Sequence, residues 1–322
     1  DNAVDVIVRP GPTGYQCSVK IIPFNPILRV ANNCRTAPAG TRRSISLQRR
    51  LDDNILEIGG NIAEGDKEFA TRIAITRPAE MFAALLRQRL IDRKIEVIGG
   101  YRYEKRQDGS LPTGTEIARI ESVPLSEIAA KTMKPSQNMY TEILLRTLGE
   151  AERNAIISTT PQSPDAEKTS AELGIRAVSK FLDRMALPAD AIVQYDGSGL
   201  SRHNLITADA VVRLYEYMSR ESRYSKAWRD SLTIGGIDGT LRNRFIGTSA
   251  AGNVRGKTGT IDQVSALSGY LKTAGGDEIV FSVIVNQMPT AQMRTSLIDE
   301  IVLKLSDYKG RLTESPPPVN QK

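Results

Sequence analysis

Histidine occurs once in these 322 residues, tryptophan once and cysteine twice, and aromatic residues make up 5% of the chain. A lone histidine, His203, and two cysteines without C-x-x-C spacing cannot assemble the four-ligand set of a structural zinc. No metal or other cofactor is expected. Long apolar runs are also missing. The longest, Ile279 to Val285, falls far short of the ~20 residues a bilayer-spanning helix needs. The opening residues Asp1-Asn2-Ala3-Val4-Asp5 have neither the basic nor the apolar region of a secretory signal, and they read as the start of a fragment or processed product.

What is present is an ordinary globular composition, 40% hydrophobic and 25% charged. The length suggests two or three domains. Net charge is +6, with an isoelectric point near 9.3, which raises the question of an anionic partner. The densest basic stretch, Arg35 to Arg50, contains no aromatic residue to stack on bases and runs into Asp52 and Asp53. It reads as a solvated strand surface, with an anionic wall polymer or nucleic acid as the lesser alternatives, and no nucleic acid is expected as a partner. Cys17 and Cys34 can be either a disulfide between neighbouring strands or two buried free thiols.

Short β-branched runs dominate residues 1–65: Val4 to Val8, Cys17 to Ile22, Leu28 to Val30, Ser44 to Leu47 and Leu56 to Gly59. Over 66–123 the pattern predicts a small strand–helix–strand region. It comprises a strand at Ala70 to Ile75, a helix opened by Pro78 with Met81, Leu85, Leu86 and Leu90 in phase, and a strand at Ile95 to Ile98. Residues 124–310 turn helical and then return to β. Helices are expected at Pro124 to Thr132, Met139 to Leu148, Ala171 to Met185 and after an N-cap at Thr207. The first long one carries Met139, Ile143, Leu144 and Leu148 on one face. Three strands follow, Gly256 to Asp262, Ala266 to Lys272 and Glu278 to Asn286, the last two joined at Gly275-Gly276-Asp277, before a final helix from Thr290 to Leu305. Residues 311–322, with Ser315-Pro316-Pro317-Pro318, are expected to be disordered. The fold class is therefore multi-domain α/β, with an antiparallel sheet flanked by helices.

Chemistry concentrates in two places. Arg255-Gly256-Lys257-Thr258-Gly259-Thr260 begins the first strand of the meander. A K-T-G triplet arises by chance in about one chain in ten of this length. Its position gives it more weight: Gly259 leaves room for another backbone, and a peptide added along that strand would bring a carboxylate to Lys257 and Thr258. The second is Ser136-Gln137-Asn138, before a helix. Alone it could be no more than a helix N-cap.

In this order the two resemble the S-x-N and K-T-G signatures of the penicillin-recognising serine acyl-transferases. Asp196-Gly197-Ser198-Gly199-Leu200-Ser201-Arg202-His203-Asn204-Leu205, Gly239-Thr240-Leu241-Arg242-Asn243-Arg244 and the run from Val254 to Leu271 narrow the resemblance. The chain is similar to the penicillin-binding protein 4 type D-alanyl-D-alanine carboxypeptidases of peptidase family S13, strongly from Pro124 to about Asn286 and in strand pattern only before that. The resemblance implies a β-lactamase/transpeptidase-like domain, with residues 1–65 and 66–123 as regions inserted between the first and second motifs. It implies a periplasmic or cell-wall enzyme, inhibited by β-lactams, that cleaves peptidoglycan stem peptides by acyl transfer through a serine ester. Ser136 would then relay a proton to the leaving amine, and Asn138 would bind the substrate peptide. Lys257 would stabilise developing charge and, with Thr258, anchor the terminal carboxylate. Gly259 would leave the approach open, and the Thr260 N–H would be one of two oxyanion donors. Gln137 departs from the acidic or small residue usual at that position.

The third signature, S-x-x-K, should precede Ser136 and does not; its one occurrence, Ser306-Asp307-Tyr308-Lys309, lies after K-T-G and reads as chance. The expectation is a C-terminal part whose parent carries the nucleophile before Asp1, so that this polypeptide alone forms no acyl-enzyme and its transpeptidase-like domain is incomplete on the N-terminal side. A nucleophile-less binding or scaffold protein of the same fold is the main alternative. A Ser-His-Asp hydrolase would depend on His203 in a Gly-rich loop that is not a G-x-S-x-G elbow. A class A β-lactamase fits poorly with the interval of 257 − 136 = 121 residues and with the long upstream region.

Overall fold

The computed structural model describes residues 2–50, 53–103, 115, 118–188 and 190–312. They fall into two compact units, Asp1–Ile117 and Ala118–Lys322. The first holds strands β1 (Ala3–Arg9), β2 (Ser18–Ile22), β3 (Arg29–Asn32), β4 (Arg35–Ala37), β5 (Ser44–Arg49), β6 (Ile55–Ala63) and β7 (Phe69–Ala74), then helix α1 (Pro78–Asp92). One antiparallel sheet runs β2-β1-β7; in the other, β6 pairs in parallel with β3 and β4 and antiparallel with β5. Alternation drives both. Val4, Val6 and Val8 point inward from β1 and Leu56, Ile58 and Ile62 from β6, around one core. Cys17 and Cys34 lie in that core as free thiols, side by side, with the Cys17 N–H donating to the Cys34 carbonyl at 2.9 Å. Burial and the neighbouring Cys17 push the Cys34 thiol up to about 12.

The expected strand–helix–strand unit is not what forms. β7 completes the sheet begun by β1, whereas Ile95 to Ile98 is irregular, with Ile98 92% exposed. Lys94, at φ 61°, turns the chain as α1 ends, and the run that follows pairs with no strand among the described residues. A β-branched run without a neighbour has no ladder to join. Arg35, Arg42, Arg43 and Arg50 are solvent-exposed, and Arg50 pairs with Glu57.

The second unit contains α2 (Leu125–Met133), α3 (Asn138–Thr159), α4 (Ser170–Leu182), the short pair β8 (Ile192–Val193) and β9 (Leu205–Ile206), α5 (Ala208–Arg220), α6 (Ser225–Ser231), β10 (Thr233–Ile234), β11 (Arg255–Ile261), β12 (Val264–Lys272), β13 (Glu278–Asn286) and α7 (Ala291–Ser306). The sheet is antiparallel in the order β10-β11-β12-β13. Period two sorts β12 and β13 between helix layers. Leu267, Leu271, Phe281 and Val283 pack with Ile298 and Val302 of α7, while Tyr270 and Val280 pack with Tyr215 of α5 and Trp228 of α6. Thr207 and Thr290 cap α5 and α7, accepting from the Ala210 and Met293 amides. The two-residue strand β10 and the seven-residue helix α6 are too short to leave a periodic signature.

Helix α3 departs from expectation in which face it buries. Leu145 and Gly149 are buried against α4, whereas Met139, Ile143 and Leu148 remain 38%, 52% and 48% exposed. Glycine decides this. A Cβ on Gly149 would stand 1.8 Å from the Ser170 carbonyl oxygen, and one on Gly174 would stand 2.1 Å from that of Leu145, so the helices touch backbone to backbone. The apolar stripe of α3 is consequently turned away from α4. Residues 313–322, which include most of the expected disordered tail, lie outside the described residues. Gly149→Ala is expected to lower unfolding stability by about 2–4 kcal/mol, read from the urea midpoint, because backbone and not a flexible side chain must yield.

Candidate active site

The first half of the site is the turn between α2 and α3. The Gln137 N–H donates to the Thr132 carbonyl (2.8 Å), and Ser136 takes a left-handed conformation at φ 61°. For a serine that costs about 1–2 kcal/mol. Gln137, not Ser136, is the N-cap residue, and it makes no side-chain cap bond. N-capping of α3 therefore does not account for Ser136, whose left-handed backbone closes α2 instead: its N–H donates to the Met133 carbonyl (3.3 Å) beside the Gln137–Thr132 bond. Asn138 opens α3 with an exposed side chain.

The second half is β11. It pairs with β12 along its whole length, but β10 covers only Gly256 and Arg255, so the edge from Lys257 to Ile261 has no strand partner among the described residues. Gly256 and Gly269 face one another, and a Cβ on Gly269 would come within 2.2 Å of the Arg255 carbonyl oxygen, so β11 and β12 need glycine there to pack this closely. Gly259 is different. An added Cβ would meet nothing nearer than the Ala266 Cβ at 3.8 Å. Packing within the fold does not require glycine at that position.

Lys257 joins the halves. Its ammonium donates to Ser136 Oγ (2.8 Å) and to the Thr258 carbonyl (2.6 Å), both uncharged oxygens. Burial lowers its pKa to about 8. A cavity of about 360 Å³ opens around this contact, and Ser136, Asn138, Lys257, Thr258, Gly259 and Thr260 all line it. Residues without a sequence-assigned role also reach it. The Thr240 hydroxyl stands 2.8 Å from that of Thr258, and the Ser198-Gly199-Leu200 loop forms another wall. That loop is held by Glu142 of α3, whose Oε1 accepts from the Gly197 (2.9 Å) and Ser198 (3.0 Å) amides. Asp196 accepts from Gly199, Ser201 and Asn204. Burial pushes that carboxyl up, but these bonds outweigh it and hold it below the usual range. Glu142, four residues after Asn138 on the helix, gave no sign in sequence that its partner lay at Gly197. His203 is an exposed loop residue beside Tyr195, with ring centroids 5.1 Å apart.

Ser306 does not line this cavity. It is buried at the end of α7, where Asn253 Nδ2 donates to both its hydroxyl and the Lys272 carbonyl. Lys257 pairs with Ser268 of β12, so the separation along that strand from Lys272 is 272 − 268 = 4 residues, about 13 Å. Next to the cavity lies an apolar trough of about 740 Å³, lined by Leu125, Ala129, Met133, Leu144, Met218 and Trp228 among others, sharing Thr132, Met133 and Thr141 with the cavity.

A depressed lysine pKa carries a pH signature. The ammonium is present below about 8 and is lost as pH rises through that value. Affinity of the cavity for a carboxylate ligand is expected to fall above pH 8, by about tenfold per pH unit well past the pKa. Calorimetric titration across pH 6–10 measures this, and Lys257→Met should abolish the dependence.

Comparison with known proteins agrees with these features. The profile of the family described as "D-Ala-D-Ala carboxypeptidase 3 (S13) family" matches residues 1–305. A D-alanyl-D-alanine carboxypeptidase of Actinomadura sp. (strain R39) is 29% identical over 315 residues, 95% of this chain and 55% of that protein. The D-alanyl-D-alanine carboxypeptidase DacB of Haemophilus influenzae is 27% identical over 76% of this chain and 48% of that protein. For the penicillin-sensitive carboxypeptidase A of Dictyostelium discoideum the figures are 29%, 71% and 41%. The chain thus spans about half the length of the curated relatives it matches. The crystal structure of penicillin binding protein 4 from H. influenzae, complexed with a β-lactam, superposes with a TM-score of 0.72 at 22% identity, over 95% of this chain and 70% of that one. At that identity the likeness is one of fold. With its two ordered motifs facing one cavity and the family profile running along nearly all of it, the chain belongs to the D-Ala-D-Ala carboxypeptidase 3 (S13) family.

Proposed function

We propose that this chain is the substrate-binding part of a serine-type D-alanyl-D-alanine carboxypeptidase and endopeptidase, penicillin-sensitive and working on peptidoglycan stem peptides outside the cytoplasm. The observation that carries the reading is the 2.8 Å contact of Lys257 with Ser136 beside an unpaired strand edge. An extended peptide laid along Lys257 to Ile261 would add to the sheet as a strand. Its terminal carboxylate would meet the Lys257 ammonium and the Thr258 hydroxyl, and Asn138 would bind its backbone amide. During acyl transfer the Thr260 N–H would donate to the oxyanion, an interaction worth about 3–4 kcal/mol of barrier. Ser136, hydrogen-bonded to a lysine of pKa about 8, would pass a proton to the departing D-alanine amine.

The attacking serine is proposed to come from a segment of the parent protein outside these 322 residues. Two features support this. No S-x-x-K precedes Ser136. The apolar trough adjoins the cavity, and the uncovered Met139, Ile143 and Leu148 stripe lies on α3, the helix that contributes Leu144 to it; a helix carrying the nucleophile would cover apolar surface there. The outer edge of β13, which pairs only with β12 among the described residues, would likewise take a further strand. The transpeptidase-like domain would then be completed from its N-terminal side.

Labelling with a fluorescent penicillin tests the division of labour. The 322-residue chain is expected to form no covalent adduct, and the chain joined to its S-x-x-K segment a hydrolysis-resistant one. An adduct on the shorter chain would place a nucleophile within it; none on the longer chain would favour a binding or scaffold protein. Gly259→Ala supplies an independent check. Its unfolding midpoint should stay within about 0.5 kcal/mol of wild type, because the new methyl meets only Ala266. Affinity for acetyl-D-Ala-D-Ala should fall at least fivefold, because the methyl stands where the ligand backbone approaches.

A further inference from the structure

Thr240 carries a hydroxyl that the fold does not need. Its side chain is exposed, and the partner of its hydroxyl is the Thr258 hydroxyl at 2.8 Å, across the rim of the cavity. Yet the turn that presents it is fastened at several points. The Thr240 N–H donates to the Lys134 carbonyl (3.1 Å), and the Lys134 ammonium binds Asp238 and the Leu232 carbonyl. Asp238 also accepts from the Ile234 N–H (2.8 Å). Gly239, at φ 53°, has no space for a side chain: a Cβ would lie 2.4 Å from Thr233 Cγ2 and 2.5 Å from the Lys134 carbonyl oxygen. An exposed threonine held this firmly against one other hydroxyl has a fixed direction of approach.

A hydroxyl has one proton to donate and lone pairs to accept with. When the cavity is empty, the Thr258 hydroxyl donates to Thr240 Oγ1. When an anion stands before Thr258, the stronger arrangement has the Thr258 proton turned to the anion, because a bond to a charged acceptor is about twice as strong as a neutral one. Thr240 is then the donor that satisfies the Thr258 oxygen, and the two bonds polarise one another. We propose that Thr240 is a positioning residue for carboxylate recognition, donating to Thr258 so that the Thr258 proton is committed to the terminal carboxylate of the peptide ligand. This rests on the reading of Lys257 and Thr258 as the carboxylate site, and extends it to a residue outside the K-T-G motif.

The test compares acetyl-D-Ala-D-Ala with its C-terminal amide, titrated calorimetrically into the 322-residue chain and its Thr240→Val and Thr240→Ser variants. Valine keeps the volume and removes the hydroxyl; serine restores it. Wild type is expected to prefer the acid. Thr240→Val should weaken binding of the acid about fivefold and of the amide less than twofold, and Thr240→Ser should recover at least half of the loss. Equal weakening of acid and amide, or no recovery with serine, would make Thr240 a merely structural contact and overturn the proposal. An unchanged acid affinity in Thr240→Val would also overturn it while leaving the carboxylate site standing. A wild-type chain that binds neither ligand, or binds both equally, would sink the carboxylate site and this inference together.

Discussion

The hydrogen bond between the Lys257 ammonium and Ser136 is the contact on which the rest of the site depends. It is a bond from a charged donor to a neutral acceptor, made in a place where burial already works against the charge. Such an arrangement leaves the ammonium with two uncharged acceptors and no carboxylate partner among the described residues. It also ties a turn of the helical layer to the edge of the sheet, two elements that the chain brings together across 121 residues. The left-handed backbone of Ser136, set by the bonds that close α2, aims its hydroxyl into that contact.

Around this contact the structure is arranged to keep one strand edge open. Glycines at 256 and 269 bring β11 and β12 close enough to hold β11 rigid, while β10 ends before Lys257. Thr240 and the Ser198 loop close the sides, their amides donating to the Lys134 carbonyl and the Glu142 carboxylate, both in or next to the segments that bear the S-x-N motif. Among the described residues that line the cavity, the charged side chain is that of Lys257. The apolar trough beside it is the opposite kind of surface, with few polar groups and exposed aliphatic side chains at its border. A surface of that kind in a globular unit is one that packing normally covers.

Much of this was legible beforehand. The strands of the meander, the caps at Thr207 and Thr290 and the start of α1 at Pro78 all follow from local chemistry: period-two alternation, a side-chain oxygen for orphan amides, a proline where no donor is needed. The motif residues were found because their order and company reduced the chance of coincidence. What failed were inferences about neighbours. Ile95 to Ile98 had the composition of a strand but no edge to join, and the apolar stripe of α3 was not the face buried against α4, because Gly149 and Gly174 set that contact. Nothing local distinguishes Cys17 and Cys34 as adjacent until β3, β4 and β6 have paired.

The sequence by itself determined the elements with strong local periods, the two motifs and the absence of an upstream S-x-x-K. Those depend on residues close together in the chain or on order alone. Tertiary structure decided which groups meet: Lys257 with Ser136, Thr240 with Thr258, and Glu142 with the Gly197-Ser198 amides. It also decided that burial would lower the Lys257 pKa. Those outcomes depend on distances set by strand register and helix packing, and neither quantity is encoded in any short stretch of the chain.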